Sequence, residues 1–187
     1  MKFTKYLLFI LLTVSICFVG CSCKVRGSTS GGGIKFSIPF GSTYNYNDVL
    51  VKRVIDGDTI ELASGQRVRF IGIDTPEVHE SRKLYNDSKR LKMDISVIQE
   101  LGRKAYGFTR DLIEGKSVRL ELDVEKYDKY GRLLAYAYLK DGTFVNAEIV
   151  KEGYASLMTI PPNVKSADLF LKLYQEARQD KRGLWKE

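Results

Sequence analysis

After residue 48, apolar and polar positions alternate through several short stretches, and that alternation predicts strands. Val49 to Ile55 is strongly apolar and closes at Asp56-Gly57, a turn dipeptide. Thr59 to Leu62 sets Ile60 and Leu62 on one face, and Gly65 turns the chain into a third strand, Gln66 to Ile73. From Ser117 to Val124 the alternation is cleanest: Val118, Leu120, Leu122 and Val124 point one way, Arg119, Glu121 and Asp123 the other. Arg132 to Leu139 is the fifth strand, with Tyr136 and Tyr138 on the face shared by Arg132. Between these runs the period changes. Ile98, Leu101, Ala105, Phe108 and Leu112 recur at helical spacing, with Gly115 as the stop. A short helix is predicted after Asn146 as N-cap, ending near Gly153, and a last helix carries Leu169, Phe170, Leu173, Tyr174 and Ala177 on one stripe. Three strands, a helix, two strands and two helices predict a mainly β fold with α (α+β). The expected form is a five-stranded Greek-key barrel of the OB-fold type, capped by about three helices.

The start of the chain follows neither period. Lys2 and Lys5 precede an almost unbroken apolar run from Tyr6 to Val19, short for a membrane span and suited to an export signal. It ends in Phe18-Val19-Gly20-Cys21, which resembles a bacterial lipoprotein signal with Cys21 as the lipidated residue. Residues 22–43 are rich in Ser and Gly and read as a flexible tether. The expected organisation is a signal peptide over 1–20, a tether over 21–43 and one folded domain over 44–187. An exported protein held at a membrane by a lipid anchor, or released by secretion, follows from that reading. The folded part has no cysteine, so its stability must come from packing rather than disulfides. Removing residues 1–20 takes away two lysines and no acid, lowering the formal charge from +7 to +5. That balance favours polyanionic partners.

The single histidine, His79, makes a zinc site or a nucleophile–histidine pair a poor expectation and reads as a surface loop residue. Carboxylates and arginines instead gather in three segments: Asp56-Gly57-Asp58-Thr59, Arg69 with Asp74-Thr75-Pro76-Glu77, and Asp128-Lys129-Tyr130-Gly131-Arg132. Alone, each reads as ordinary structure: a hairpin turn, a capped helix start, and a solvated turn. Arg67 and Arg119 are assigned to the outer barrel face.

Together, in this order and with these elements between them, the segments resemble the thermonuclease (staphylococcal nuclease-like) family. The resemblance spans about residues 48–186, including Arg182-Gly183-Leu184-Trp185. It implies that Asp58, Asp74 and the carbonyl of Thr75 bind one Ca²⁺, all of them hard oxygen donors. It implies that Arg69 and Arg132 hold the scissile phosphate and that Glu77 acts on the attacking water. Lys129 and Tyr130 would contact the substrate's terminal phosphate and sugar. The implied activity is calcium-dependent hydrolysis of DNA and RNA to 3′-phosphate ends by a monomeric endonuclease. Two departures stand out. Met158 and Ile160, before Pro162-Asn163, occupy positions where the family has tyrosines, and Val78 to Glu100 is longer than the family's loop and rich in Lys and Arg. That longer segment could supply phosphate contacts or be a solvated loop. Competing readings are a non-catalytic nucleic-acid-binding barrel and a structural or adhesive lipoprotein. Two carboxylates beside a phosphate pocket argue against the first, because without a cation they repel the ligand; substrate-competitive binding of a nucleoside bisphosphate would argue against the second.

Overall fold

The computed structural model describes residues 45–186. The signal peptide, Cys21 and the tether lie outside the described residues.

Five strands close a barrel: β1 (Val49–Asp56), β2 (Thr59–Leu62), β3 (Arg67–Phe70), β5 (Ser117–Glu121) and β6 (Leu133–Leu139). Their order around the barrel is β1-β2-β3-β6-β5. All pairings are antiparallel except β3 with β6, which run parallel. Closure falls to β1, which pairs with β2 from Val51 onward and with β5 at Val49 and Leu50. Two register irregularities, between Val51 and Arg53 and between Val54 and Asp56, bend the strand enough to serve both neighbours. Val51, Ile60, Leu62, Val68 and Leu133 fill the interior at 0–1% exposure. Each contributes about 1.5–3 kcal/mol by leaving water. The expected α+β barrel is thus the observed one.

Several boundaries differ from the sequence expectation for identifiable reasons. The third strand does not run to Ile73. Gly72 has φ +83°, and a Cβ there would come within 2.5 Å of the Phe170 ring. The chain therefore turns out of the barrel and forms β4 (Gly72–Asp74), which pairs with β7 (Ser156–Met158). Strand β5 stops at Glu121, leaving Val124 70% exposed, although the alternation continues. On β6 both faces are covered: Leu133, Ala135 and Ala137 line the barrel, while Tyr136 is buried near Phe144 and Phe170.

Among the described residues, four α-helices surround the barrel. In α2 (Ile95–Ile113) the buried stripe is Ile98, Gly102, Ala105, Thr109 and Ile113, while Leu101, Phe108 and Leu112 are half-buried at its edge. Phe108 stacks on Tyr154 there, with ring centroids 4.6 Å apart. Asn146 is not the cap of α3 (Val145–Lys151); Phe144 is. Asn146 is fully buried, accepting from the Ala137 N–H (3.0 Å) and donating to the carbonyl of Ile71 (3.0 Å). It satisfies backbone groups where β3 leaves the barrel. In α4 (Ala167–Gln179) the buried stripe is Phe170 and Ala177, with Leu169 exposed. The unexpected helix is α1 (Arg82–Leu91), inside the long basic segment. The Ser81 side chain accepts from the Leu84 N–H at 3.1 Å, and Leu84 is fully buried. One cap and one apolar anchor fasten a helix that is otherwise polar.

Candidate active site

The turn between β1 and β2 carries Asp58, and the end of β4 carries Asp74. Asp58 Oδ2 accepts from the Thr75 N–H (2.8 Å) and the Thr75 hydroxyl (3.0 Å), while Oδ1 accepts from Thr59 (2.9 Å). From behind, the Thr109 hydroxyl of α2 donates to the Gly57 carbonyl at 2.7 Å. A Cβ on Gly57 would come within 2.8 Å of Thr75, so the turn needs glycine to lie this close. Farther along α2, a Cβ at Gly102 would come within 2.7 Å of the Glu77 carbonyl oxygen. Glycine there lets the loop carrying Glu77 rest directly on the helix.

Arg69, on β3, joins the two carboxylates. Its Nη1 lies 3.0 Å from Asp58 Oδ2 and its Nη2 2.9 Å from Asp74 Oδ1, and Nη1 also donates to the Phe70 carbonyl (3.2 Å). Lys83, from the first turn of α1, completes the cluster. Its ammonium lies 2.9 Å from Asp74 Oδ1, Glu77 Oε1 and the Thr75 carbonyl oxygen. Burial pushes the Asp58 carboxyl up, but the charges of Arg69 and Lys83 and the bonds from Thr75 and Thr59 outweigh it and hold the carboxyl below its ordinary value. Burial, with Asp58 nearby, leaves Asp74 above its ordinary value despite Lys83 and Arg69. Burial alone would lower the Lys83 ammonium, yet Asp74, Asp58 and Glu77 raise it. Asp56 is pushed up to about 7 by burial and by the charges of Asp58 and Glu77.

Lys83 and Asp56 are the two members to which the sequence reading gave no site role. Asp56 reads as half of a turn dipeptide. Lys83 stands in a run of basic residues, and only Ser81, a cap at the right distance before Leu84, hinted at a helix there.

Across the cavity lies the loop before β6. Asp128 organises it: Oδ1 accepts from the N–H groups of Tyr130 (2.8 Å) and Arg132 (3.0 Å), and Oδ2 accepts from Arg132 Nε at 2.7 Å. The bond to Nε orients the guanidinium without using its terminal nitrogens. Tyr130 is 72% exposed, with Lys129 Nζ 5.1 Å and the Arg132 guanidinium carbon 5.5 Å from its ring centroid. A cavity of about 710 Å³ joins the two sides, lined among others by Asp58, Arg69, Asp74, Glu77, Lys129, Tyr130 and Arg132. Thr75 lies behind it, 1% exposed. The apolar part of the wall is formed by Met158, Ile160, Leu134 and Tyr127. Arg67 is exposed at the lip, Arg119 covers the Tyr138 ring from outside at 4.1 Å, and His79 is on the surface.

The donor chemistry suits a hard divalent cation. Asp58, Asp74 and the Thr75 carbonyl present oxygen only, and Asp56 adds a further carboxylate to the same cavity. Among the described residues no three His, Cys, Asp or Glu side chains gather as a ready cage. The two-carboxylate set would therefore hold an ion only with water or a substrate oxygen completing its shell.

Residues 67–187 match the family described as "Staphylococcal nuclease homologue". The chain belongs to the staphylococcal nuclease family. It is 40% identical over 139 residues to a protein named thermonuclease from Staphylococcus intermedius, covering 73% of this chain and 74% of that one. With Uncharacterized protein MJ1439 of Methanocaldococcus jannaschii it shares 30% identity over a 195-residue alignment, 95% of this chain and 93% of that protein. The SPbeta prophage-derived endonuclease YokF of Bacillus subtilis is 36% identical over 143 residues, 74% of this chain but 44% of that protein. The family match begins after Asp58, yet Asp58 is bonded to Arg69 and Thr75 within it.

Proposed function

We propose that this chain is a calcium-dependent nuclease that hydrolyses phosphodiester bonds of DNA and RNA, leaving 3′-phosphate ends. The observation that carries the reading is Arg69 bridging Asp58 and Asp74 at the wall of a cavity that Glu77 and Arg132 also line. A pure binder gains nothing from carboxylates beside its phosphate pocket. In the proposed reaction Arg69 and Arg132 fork onto phosphate oxygens and stabilise the charge that grows as water attacks. Glu77 takes one proton of the water as its oxygen bonds to phosphorus, the P–O5′ bond breaks, and the 5′ oxygen leaves as a hydroxyl with a proton from solvent. A calcium ion held by Asp58, Asp74 and the Thr75 carbonyl would supply positive charge against the phosphate. Lys129 and Tyr130 contact the terminal phosphate and sugar. Met158 and Ile160 offer no aromatic platform at their own positions, so a base resting on them forgoes stacking worth about 1–3 kcal/mol.

The test digests single- and double-stranded DNA and RNA with the purified full-length chain, in Ca²⁺, in Mg²⁺ and in chelator, and types the product ends. Calcium should support turnover, and Mg²⁺, which demands strict octahedral geometry, should support binding better than cleavage. Glu77→Gln should slow single-turnover cleavage by roughly 10²-fold with binding retained. Full activity in excess chelator would overturn the metal assignment. The same proposal includes export and lipid attachment at Cys21, where multiple acyl chains would hold the protein firmly. Cys21→Ser should abolish lipid labelling without changing cleavage; unchanged labelling would reject that anchor.

A further inference from the structure

We propose that the Lys83 ammonium is a tethered counter-ion seated at the cation position, and that a divalent ion enters the site by displacing it. The inference rests on the calcium reading above.

An ammonium has three N–H donors. Those of Lys83 meet three oxygens, Asp74 Oδ1, the Thr75 carbonyl and Glu77 Oε1, each at 2.9 Å. Two of them, Asp74 and the Thr75 carbonyl, belong to the proposed calcium set. An ammonium hydrogen-bonds at this distance, whereas calcium draws its oxygens to 2.3–2.6 Å. The two cations therefore compete for the same two oxygens and repel each other at close range.

Lys83 is also placed to leave. Its side chain is 32% exposed, against 10% for Arg69. Its flexible stem can swing the charge into water without unwinding a helix. It stands on the second residue of α1, a helix with no acidic residue in its first turn. That turn is held by the Ser81 cap and the buried Leu84. Arg69, by contrast, is fixed by Asp58 and the Phe70 carbonyl as well as Asp74. Of the two cations on Asp74, Lys83 is the one a metal would evict. Its departure also frees Glu77 from its ion pair, so metal entry and release of the general base become one event. A lysine whose only task is to staple α1 to the barrel would show neither linkage.

Calcium titration calorimetry on the full-length chain in detergent compares wild type with Lys83→Met, which keeps the stem and removes the charge. Calcium should bind Lys83→Met at least about tenfold more tightly. Ser81→Ala, which loosens the turn carrying Lys83, should tighten binding by a smaller factor. Equal or weaker calcium affinity in a Lys83→Met protein that circular dichroism shows to be folded overturns the inference while leaving the calcium reading intact. No calcium binding by any of the three removes the calcium reading and this inference with it. A second measurement needs no variant: amine acetylation of wild type, mapped by mass spectrometry. Saturating calcium should raise the labelling rate of Lys83 several-fold and leave exposed Lys89 and Lys92 unchanged. Labelling of Lys83 that calcium slows or does not change rejects displacement.

Discussion

Arg69 and Arg132 face the same cavity but are held in different ways. Arg69 is 9% exposed and spans two carboxylates and a backbone carbonyl. Arg132 has a side chain 29% exposed and a single acidic partner, Asp128, one turn of loop away. The first arginine keeps Asp58 and Asp74 from facing each other uncompensated, so the packing of the barrel wall depends on it. The second is presented on the loop before β6, where its charge is partly in water. One fold thus offers the proposed phosphate site two arginines, one built into the cavity wall and one mounted on its rim.

The largest expected effect breaks the comparison at Arg69. Arg69→Met leaves Asp58 buried without its guanidinium, and removing one partner of a buried pair costs about 3–5 kcal/mol. Urea unfolding should show that loss in stability, alongside loss of cleavage; a change below about 1 kcal/mol would show that Lys83 alone balances the acids. At Arg132 the expected pattern reverses. Arg132→Lys keeps the charge but loses the fork, so turnover should drop by roughly 10²-fold. Its unfolding free energy should stay within about 0.5 kcal/mol of wild type. Equal stability losses at both arginines would abolish the distinction drawn between them.

The smallest effect sharpens the comparison at Asp128. Its carboxyl is shifted up by burial but held below its ordinary value on balance by the Arg132 backbone and side chain and by the Tyr130 N–H. A carboxyl lowered in the folded state stabilises above its unfolded value, near 3.9. That contribution disappears as the pH falls through the lower folded value. Asp128→Asn should therefore cost at most about 1 kcal/mol at neutral pH. The gap from wild type should close below about pH 4 in acid unfolding. A gap that widens toward acid would mean Asp128 is not the charged anchor of Arg132.

The barrel was legible because its strands are half-buried and so alternate, as in Val118 and Leu120 against Arg119 and Glu121. The site was legible for a different reason: three short segments, each unremarkable, share one order with a known family, and Asp58, Arg69, Asp74 and Glu77 do converge. Where the reading slipped, the deciding force was tertiary. Gly72 ends a strand because Phe170, almost a hundred residues on, leaves no room for a side chain. Strand β7 has three residues and no period to detect. Asn146 looks like a cap in one dimension and is a buried clasp for Ala137 and Ile71 in three. Lys83 was hidden by its own neighbours, since among Arg82, Lys89 and Lys92 no local feature marks the one lysine that turns inward.

Gly102 shows how far the control of the reaction extends from the cavity. Because the Glu77 carbonyl rests against a bare α-carbon, α2 acts as a mould for the loop that carries the proposed general base. A methyl group there would push the loop outward, and an ångström of misplacement can cost about 10²-fold in rate. Under the proposed mechanism, the rate is therefore sensitive to a glycine on α2 that does not line the cavity.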